Sequence, residues 1–322
     1  MLQNNQEKNK LKILLTKNKD LSYLYLIVVM IIAGASIFIP SFSRGQNITN
    51  LFNQMAPMGI VALGQTFAII TTGIDLSVGS VMSLATVITA TQLDPANPMS
   101  VFIVYPLVIG VSLIIGSVNG FIISKFNLEP LIATLATGSI INGISLLILS
   151  HPGGFCPRMF TNAWLTELGG IVPLSIIYFF ILILVTYFIL NHTRFGRRVY
   201  AIGGDEEKAK IAGINVDKVK IKVYMASSLL AGIAGLALAA RMRSGDPVSG
   251  STFTLYSVAA VLIGGTTFSG GKGGVIRTFA GVLILSLVSI ILNLIGVSPF
   301  YQNVMTGLII VLAVINSSLR KG

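Results

Sequence analysis

Charge is scarce in this sequence. Only 10% of its 322 residues are charged, whereas 53% are hydrophobic. A soluble chain of this length needs a charged surface, but lipid tolerates an apolar exterior. The composition therefore excludes a soluble core and predicts a membrane protein.

Residues typical of catalytic and metal sites are also rare. The single cysteine, Cys156, cannot form an internal disulfide or a cysteine-rich metal site. The two histidines, His151 and His192, lack the spacing of metal ligands. The HExxH, GxSxG and CxxC patterns do not occur. We expect no metal, no resident cofactor and no catalytic site in this chain.

Long apolar runs, in contrast, are abundant. Ten windows are long enough to cross the hydrocarbon core, and they show no strand-like alternation. Because backbone polar groups must be satisfied internally in lipid, we expect an all-α polytopic protein with about ten transmembrane helices. The predicted spans are 21–40, 54–74, 76–93, 100–124, 130–149, 171–191, 223–240, 253–270, 276–293 and 300–316.

Basic residues are divided unequally between the two sides that ten spans imply. Eighteen of the 22 Lys and Arg residues lie on the side of both termini, and four lie on the other: Arg44, Arg158, Arg241 and Arg243. Cytoplasmic loops retain positive charge, so we expect cytoplasmic tails at 1–20 and 317–322 around one transmembrane domain at 21–316. The same distribution explains the net charge of +11 without a nucleic-acid partner.

One long polar loop, residues 192–222, interrupts the spans. It holds 8 of the 22 basic residues and 4 of the 11 acidic ones. Within it, Asp205 can cap a short helix, Glu206 and Glu207 favour the positive end of its dipole, and Gly213 can end it. We predict that this helix presents Ala209 and Ala212 as a small-residue face to a soluble partner. An ordinary solvated loop is the alternative.

A glycine-rich run, residues 270–274, invites comparison with a phosphate-binding loop. The comparison fails because Thr266 stands where the first glycine of a Walker motif is required, and Gly273 follows Lys272 in place of Ser or Thr. A tight turn between two spans explains the glycines better. The chain itself is therefore not expected to bind ATP.

Asp75 is the one charged residue between Arg44 and Asp94. A carboxylate inside the bilayer would be functional by default. The alternative, which we favour, places Asp75 at the cytoplasmic edge, capping a helix with Leu76 and Ser77 in its first turn.

Uncharged polar side chains occur in or near the spans. As a set they suggest a polar conduit for a hydroxylated substrate, although any one of them is more often a contact between helices. These residues are Gln65, Asn119, Asn142, Asn293, Gln302 and Asn303. Small residues spaced four apart predict close helix packing: Ala231, Gly235 and Ala239 in one span, and Gly116 and Gly120 in another.

Four blocks of the sequence, in order, resemble the permease subunits of ribose-type (simple sugar) ABC importers. Arg194–Arg197, Ala201–Asp205 and Ala212–Val216 are similar to the family's coupling loop. The other blocks are Thr72–Ser80, then Asn119-Gly120 with Lys125, Pro130 and Ile132–Leu135, and finally Ala259–Gly265 with Ser269–Gly273. The resemblance covers about residues 45–316.

The resemblance implies a permease that imports a monosaccharide through a bacterial inner membrane. Its partners would be a cytoplasmic ABC ATPase that binds ATP and Mg, an extracytoplasmic sugar-binding protein and a second permease copy. The family fold relates spans 2–5 to spans 7–10 as an inverted repeat. The implied ATPase contacts are Gly203, Gly204, Asp205, Glu206, Ala209, Ala212, Gly213 and Ile214. Candidates for the gate or translocation path are Thr72, Asp75, Ser77, Asn119, Asn142, Asn293, Gln302 and Asn303.

Two other transport classes remain open at this stage. In an ion-coupled secondary sugar transporter, Asp75 would carry the coupled ion; a passive channel would need no energy source. The polar loop favours the importer, because a symporter needs no docking helix. Two departures from the family pattern, Tyr256-Ser257 in place of an acidic residue and Arg277 in place of glycine, leave the sugar undetermined.

Overall fold

The computed structural model describes residues 19–97, 99–298, 300–302, 304–305, 307–308 and 311, and most of this described part is helical. A single antiparallel ribbon pairs β1 (Glu167–Leu168) with β2 (Val172–Pro173) in the described part. The helices, in chain order, are α1 Lys19–Phe38, α2 Gly45–Ile70, α3 Val78–Gln92, α4 Ser100–Lys125, α5 Pro130–Ile148, α6 Arg158–Leu165, α7 Leu174–His192, α8 Arg194–Gly204, α9 Glu206–Ile211, α10 Val216–Met242, α11 Ser251–Ile263 and α12 Val275–Leu294.

Six of these helices are long and apolar enough to cross a membrane, namely α1, α4, α5, α7, α10 and α12. The polytopic helical architecture is thereby confirmed, whereas the count of ten spans and the side of the termini stay predictions. Most of the predicted span 300–316, the tail 317–322 and nearly all of the tail 1–20 lie outside the described residues.

Helix α10 occupies the centre of the bundle, where it packs most extensively against α2, α3 and α4. A Cβ added at Gly116 or Gly120 of α4 would overlap the α10 backbone, so these glycines permit the close approach of the two helices. On α10 itself, Ala231 and Ala239 are fully buried, and Gly235 faces α3. The predicted packing role of these small residues is confirmed.

Helices α3 and α11 are too short to cross the membrane alone. With 15 and 13 residues they span about 20 Å, against a hydrocarbon core of about 30 Å. Each follows a non-helical segment, at 71–77 and at 243–250. Their N-terminal ends meet, because the Gly250 N–H donates to Ser83 Oγ at 2.9 Å and Gly250 lies against Gly79.

The segment at 243–250 packs along α3, with Gly245, Pro247 and Gly250 buried. The Asp246 N–H donates to Thr86 Oγ1 at 3.1 Å, and Gly245 pairs with Gly153. Irregular backbone at membrane depth is tolerated only where protein or a cavity satisfies it, as these contacts do. A short helix after an irregular segment, at matching places in the two halves, fits an inverted repeat, which stays a prediction.

Candidate coupling segment and gate

The coupling segment, residues 193–215, connects α7 to α10 and is helical over most of its length. The segment is more helical than the predicted loop at 192–222, because α8 lies inside it beside the predicted short helix and α10 begins at Val216. Polar side chains start each helix by accepting a backbone hydrogen bond from its first turn. The Thr193 hydroxyl accepts from the Gly196 N–H at 3.1 Å. In the same way, Asp205 Oδ1 accepts from the Lys208 N–H and Asn215 Oδ1 from the Lys218 N–H, each at 3.0 Å.

Helix α9 confirms the short helix predicted near Asp205. Its C-terminal end is closed by two hydrogen bonds, from Ile214 N–H to Ala209 C=O at 3.0 Å and from Gly213 N–H to Lys210 C=O at 2.9 Å. Gly213 has φ +81°, the left-handed conformation that this closure requires. Both ends of α9 are thus determined by local side-chain and backbone contacts.

The outward face of α9 differs from the predicted one. Ala209 is 4% exposed and packs into the bundle, so it cannot meet a partner. Ala212 is exposed as predicted, and Ile211 beside it is 86% exposed. With Glu207 and Lys208, these residues form the outer face of α9, an apolar spot bordered by charges. Ala209 is buried because it lies on the face of α9 that turns toward α10.

Ion pairs hold α9 against α10. Glu206 contacts Lys220 of α10 at 2.7 Å and Lys210 at 3.3 Å, while Glu207 contacts Lys210 at 3.0 Å. Partial burial alone would raise the pKa of Glu206, but Lys220 and Lys210 together lower it below its ordinary value. The pKa of Asp205 is also lowered, mainly by the Lys208 backbone N–H. Glu206 is therefore the charged residue that connects α9 to the bundle.

Three backbone segments meet where α8 ends, and we call this contact the glycine junction. The Gly271 N–H donates to the C=O of Ile70, the last residue of α2, at 2.9 Å. A Cβ on Gly203 would overlap both Ile70 and Gly271. Gly270 and Gly271 have φ +72° and +64°, so the predicted tight turn is confirmed. The end of the coupling segment thus touches the end of α2 directly.

The gate segment, residues 71–77, follows α2 and turns back into the protein. The Gln65 amide lies beside the Asp75 backbone, and with its oxygen toward the N–H and its nitrogen toward the C=O it makes two hydrogen bonds at 3.2 Å. Gln65 precedes the end of α2 by five residues, or about 7 Å along the helix. Asp75 is therefore embedded and fully buried, while its place at the cytoplasmic edge of the membrane stays a prediction.

The Asp75 carboxylate organises a small polar network. Its Oδ1 accepts from the Ser77 N–H at 3.0 Å and the Ser77 hydroxyl at 2.5 Å, and that hydroxyl accepts from Asn119 Nδ2 at 2.9 Å. Helix α3 begins at Val78, so Asp75 does not cap it in the predicted manner. The Ser227 hydroxyl faces the carboxylate without a short contact, and Oδ2 makes no hydrogen bond among the described residues.

Further contacts fix the gate segment at both ends. The Leu76 N–H donates to Thr134 Oγ1 of α5 at 3.0 Å. Thr72 has φ +63°, which is strained for a β-branched residue, and its methyl group lies against Gly270 of the glycine junction. The gate segment therefore connects the junction to the network around Asp75.

A cavity of about 280 Å³ separates the gate segment from α9. Thr71 and Thr72 line one side, Glu206 and Lys220 the other. Tyr224 of α10 also lines it, and its buried hydroxyl makes no hydrogen bond within the described part of the chain. Space for relative movement thus exists between the two segments.

The structure distributes the predicted polar residues among different places. Gln65, Asn119 and Ser77 join Asp75, as described above. Gln302 lies far from them, beside Ser289 of α12. Asn142 is half-buried and Asn293 is exposed, and neither side chain hydrogen-bonds to the Asp75 network within the described residues. Asn303 lies outside the described residues. The five described amides therefore occupy different parts of the bundle, and the polar conduit stays a prediction.

Several residues of the site escaped the sequence analysis. Thr134 lies in the block Ile132–Leu135 that resembles the family, but no role was assigned to it. Tyr224 occurs in an apolar helix, where no periodicity distinguishes it from a packing residue. Lys220 was counted as loop charge, because the start of α10 was placed too late. Its spacing from Glu206 carries no local signal, since 14 residues separate the two.

The chain is similar to known transport permeases. The family model described as "Branched-chain amino acid transport system / permease component" matches residues 47–314. The ribose import permease protein of Bacillus subtilis is 38% identical over 302 residues, which is 91% of this chain and 90% of that protein. No solved structure matches the chain.

Two relatives from Escherichia coli K12 carry other sugar names. The galactose/methyl galactoside import permease protein is 34% identical over 328 residues, covering 95% of this chain and 98% of that protein. The D-allose transport system permease protein is 33% identical over 293 residues, covering 90% of this chain and 89% of that protein.

Proposed function

Because the chain belongs to the permease component family that includes sugar ABC importers, we propose that it imports a monosaccharide, ribose or a similar simple sugar, using a separate cytoplasmic ATPase. The chain is a multi-pass protein of the bacterial cell membrane and a transport subunit, not an enzyme. The sugars named for its relatives motivate the substrate class.

The observation that carries this proposal is the glycine junction. Helix α9 presents an exposed apolar residue, Ile211, at the surface, while Gly203 at the end of α8 contacts the end of α2 and the 270–271 turn. A force applied to α9 by an ATPase would reach the gate segment through two backbone contacts. A permease that works without a soluble ATPase subunit does not need such a connection.

The proposed cycle assigns energy and movement to different chains. ATP and Mg bind the partner ATPase, whose closure displaces α9, and the glycine junction moves the gate segment within the adjacent cavity. Two permease copies rock between outward-open and inward-open states, and an extracytoplasmic binding protein delivers the sugar. Gly203, Asp205, Glu206, Gly213 and Ile214 position α9, while Ile211 and Ala212 meet the ATPase.

The test is uptake by proteoliposomes that contain this chain with its ATPase and sugar-binding protein. We expect uptake of labelled sugar when ATP is supplied on the side of the membrane that carries the ATPase. We expect no uptake when a nonhydrolysable ATP analogue replaces ATP. Uptake by the lone chain would contradict the proposal.

A second candidate, ion-coupled sugar transport, is favoured by one observation. Asp75 is fully buried, and its Oδ2 lacks a hydrogen bond among the described residues, as a carboxylate that exchanges an ion could. This mechanism predicts uptake by the chain alone, driven by a proton or sodium gradient. The same proteoliposomes, without ATPase and with an imposed gradient, separate the two functions.

A further inference from the structure

A second pocket lies at the opposite end of the bundle from the coupling segment. It has a volume of about 160 Å³ and is formed by the middle of α2, the end of α10, the start of α11, helix α12 and Gln302. Its lining residues are Gln54, Met58, Arg241, Thr252, Phe253, Tyr256, Leu285, Ser289 and Gln302.

The depth of the pocket follows from the helices that line it. Gln54 precedes the end of α2 at the glycine junction by 16 residues, or about 24 Å. Ser289 follows the start of α12 by 14 residues, or about 21 Å. The pocket therefore lies in the half of the membrane away from α9, the side from which the importer would receive its substrate.

The lining has the chemistry that a monosaccharide requires. The Gln54 amide donates to Ser289 Oγ at 2.6 Å, and the Ser289 hydroxyl is 3.4 Å from Gln302 Oε1, so neutral donors and acceptors are already arranged in a chain. Phe253 and Tyr256 add aromatic surface for the apolar face of a sugar ring. Drug-sized ligands need about 300 Å³ or more, so this pocket suits a smaller ligand.

Arg241 gives the pocket a directional donor. Among the described residues, no carboxylate lines the pocket and none forms an ion pair with Arg241. The planar guanidinium presents paired N–H groups, which can donate to two adjacent oxygens. Arg241 is exposed, so these N–H groups are accessible to a ligand that enters the pocket.

The position of the pocket in the fold matches where transporters bind substrates. Thr252 and Phe253 belong to the first turn of α11, one of the two interrupted short helices, and such helix ends form binding sites in transporters built from inverted repeats. Helices α2 and α11 both lead from this pocket to the glycine junction.

We infer that this pocket is a monosaccharide-binding subsite of the permease itself, in which Arg241 donates to two adjacent hydroxyls of the sugar. The inference rests on the proposed function and adds a residue that selects the substrate. It assigns the chain a direct role in recognition beside that of the binding protein.

The experiment measures protection of a cysteine placed in the pocket. Cys156 is 2% exposed, so the wild-type chain in nanodiscs should not react with a hydrophilic thiol reagent. Thr252→Cys places a thiol in the lining at an exposed position. We expect rapid labelling, slowed by ribose, galactose or allose, whereas Ala96→Cys in an exposed loop is labelled at the same rate with and without sugar.

Arg241 is tested in the Thr252→Cys background. Arg241→Gln should weaken protection about tenfold, as expected for the loss of a charge-assisted hydrogen bond, and Arg241→Lys should not restore it. Arg243→Gln removes the same charge two residues away, outside the lining, and should leave protection unchanged.

Three results would overturn the inference: no protection by any of the sugars, equal protection in Arg241→Gln, or protection by inorganic phosphate alone. If ATP-driven uptake is also absent, the proposed function fails with it. If uptake is present without protection, only the subsite is wrong.

Discussion

The coupling segment and the gate segment both connect long helices, yet they are held by different contacts. The coupling segment is largely exposed and relies on side-chain caps and exposed ion pairs, such as Lys208 with Asp205. The gate segment is largely buried and relies on a carboxylate, an amide and hydroxyls. Ion pairs in water contribute little, whereas buried polar groups cost much when unpaired.

This contrast predicts which substitutions will affect partner binding and which will affect folding or transport. Changes on the outer face of α9 should alter partner binding and leave the fold intact. Changes in the buried network or at the glycine junction should alter folding, transport or both. The predictions below test this division, beginning with the largest expected effect.

Gly203→Ala should abolish transport and lower the yield of folded protein. The added methyl group would overlap the Ile70 carbonyl and the Gly271 amide, and overpacking of this kind costs about 1–3 kcal/mol. The measurement is the thermal unfolding midpoint together with ATP-driven uptake.

Gly204→Ala is the matched control. It places the same methyl group one residue later, where no atom lies within 4 Å. Wild-type stability and uptake are expected, and equal damage from both substitutions would refute the assigned role of the junction.

Asp75→Asn should slow sugar uptake about tenfold while the protein still folds. The amide loses the charge that receives the Ser77 hydrogen bonds and brings a buried donor that needs a partner. Uptake at the wild-type rate would remove Asp75 from the gate. Asp94→Asn, at an exposed loop position, should have no effect.

Glu206→Gln should lower stability by less than about 1 kcal/mol at neutral pH, because the pairs with Lys220 and Lys210 are partly exposed. The folded-state pKa of Glu206 is lowered, so its contribution is present above the unfolded pKa and is lost as pH falls through the folded value.

The measurement for Glu206 is chemical denaturation at several pH values. The difference between wild type and Glu206→Gln should vanish in acid. A difference that grows as the pH falls would contradict the assigned ion pairs. Glu207→Gln, whose side chain is 78% exposed, should change stability less than Glu206→Gln at neutral pH.

The sequence determined more of the fold than of the site. Apolar length predicted each long helix from α1 to α12, because the bilayer imposes a strong requirement on composition. It overestimated α11, whose predicted span at 253–270 included the irregular turn before residue 270. Hydropathy cannot distinguish a buried turn from a span, since both are apolar.

Local signals predicted α9 correctly, and long-range contacts explain the errors. The Asp205 cap and Gly213 act within a few residues, so sequence alone reveals them. Burial of Ala209 depends on α10, and the burial of Asp75 depends on Gln65 and Asn119. Such contacts join distant parts of the chain and leave no periodic pattern.

The central claim, that an ATPase drives this chain through the outer face of α9, is tested most directly by ATPase copurification. Ile211→Asp combined with Ala212→Trp should abolish copurification and ATP-driven uptake, with a wild-type yield of folded permease, because both side chains are exposed. Ala209→Trp should instead lower that yield, since Ala209 is buried. Full ATPase recovery and normal uptake in the Ile211→Asp, Ala212→Trp protein would contradict the account.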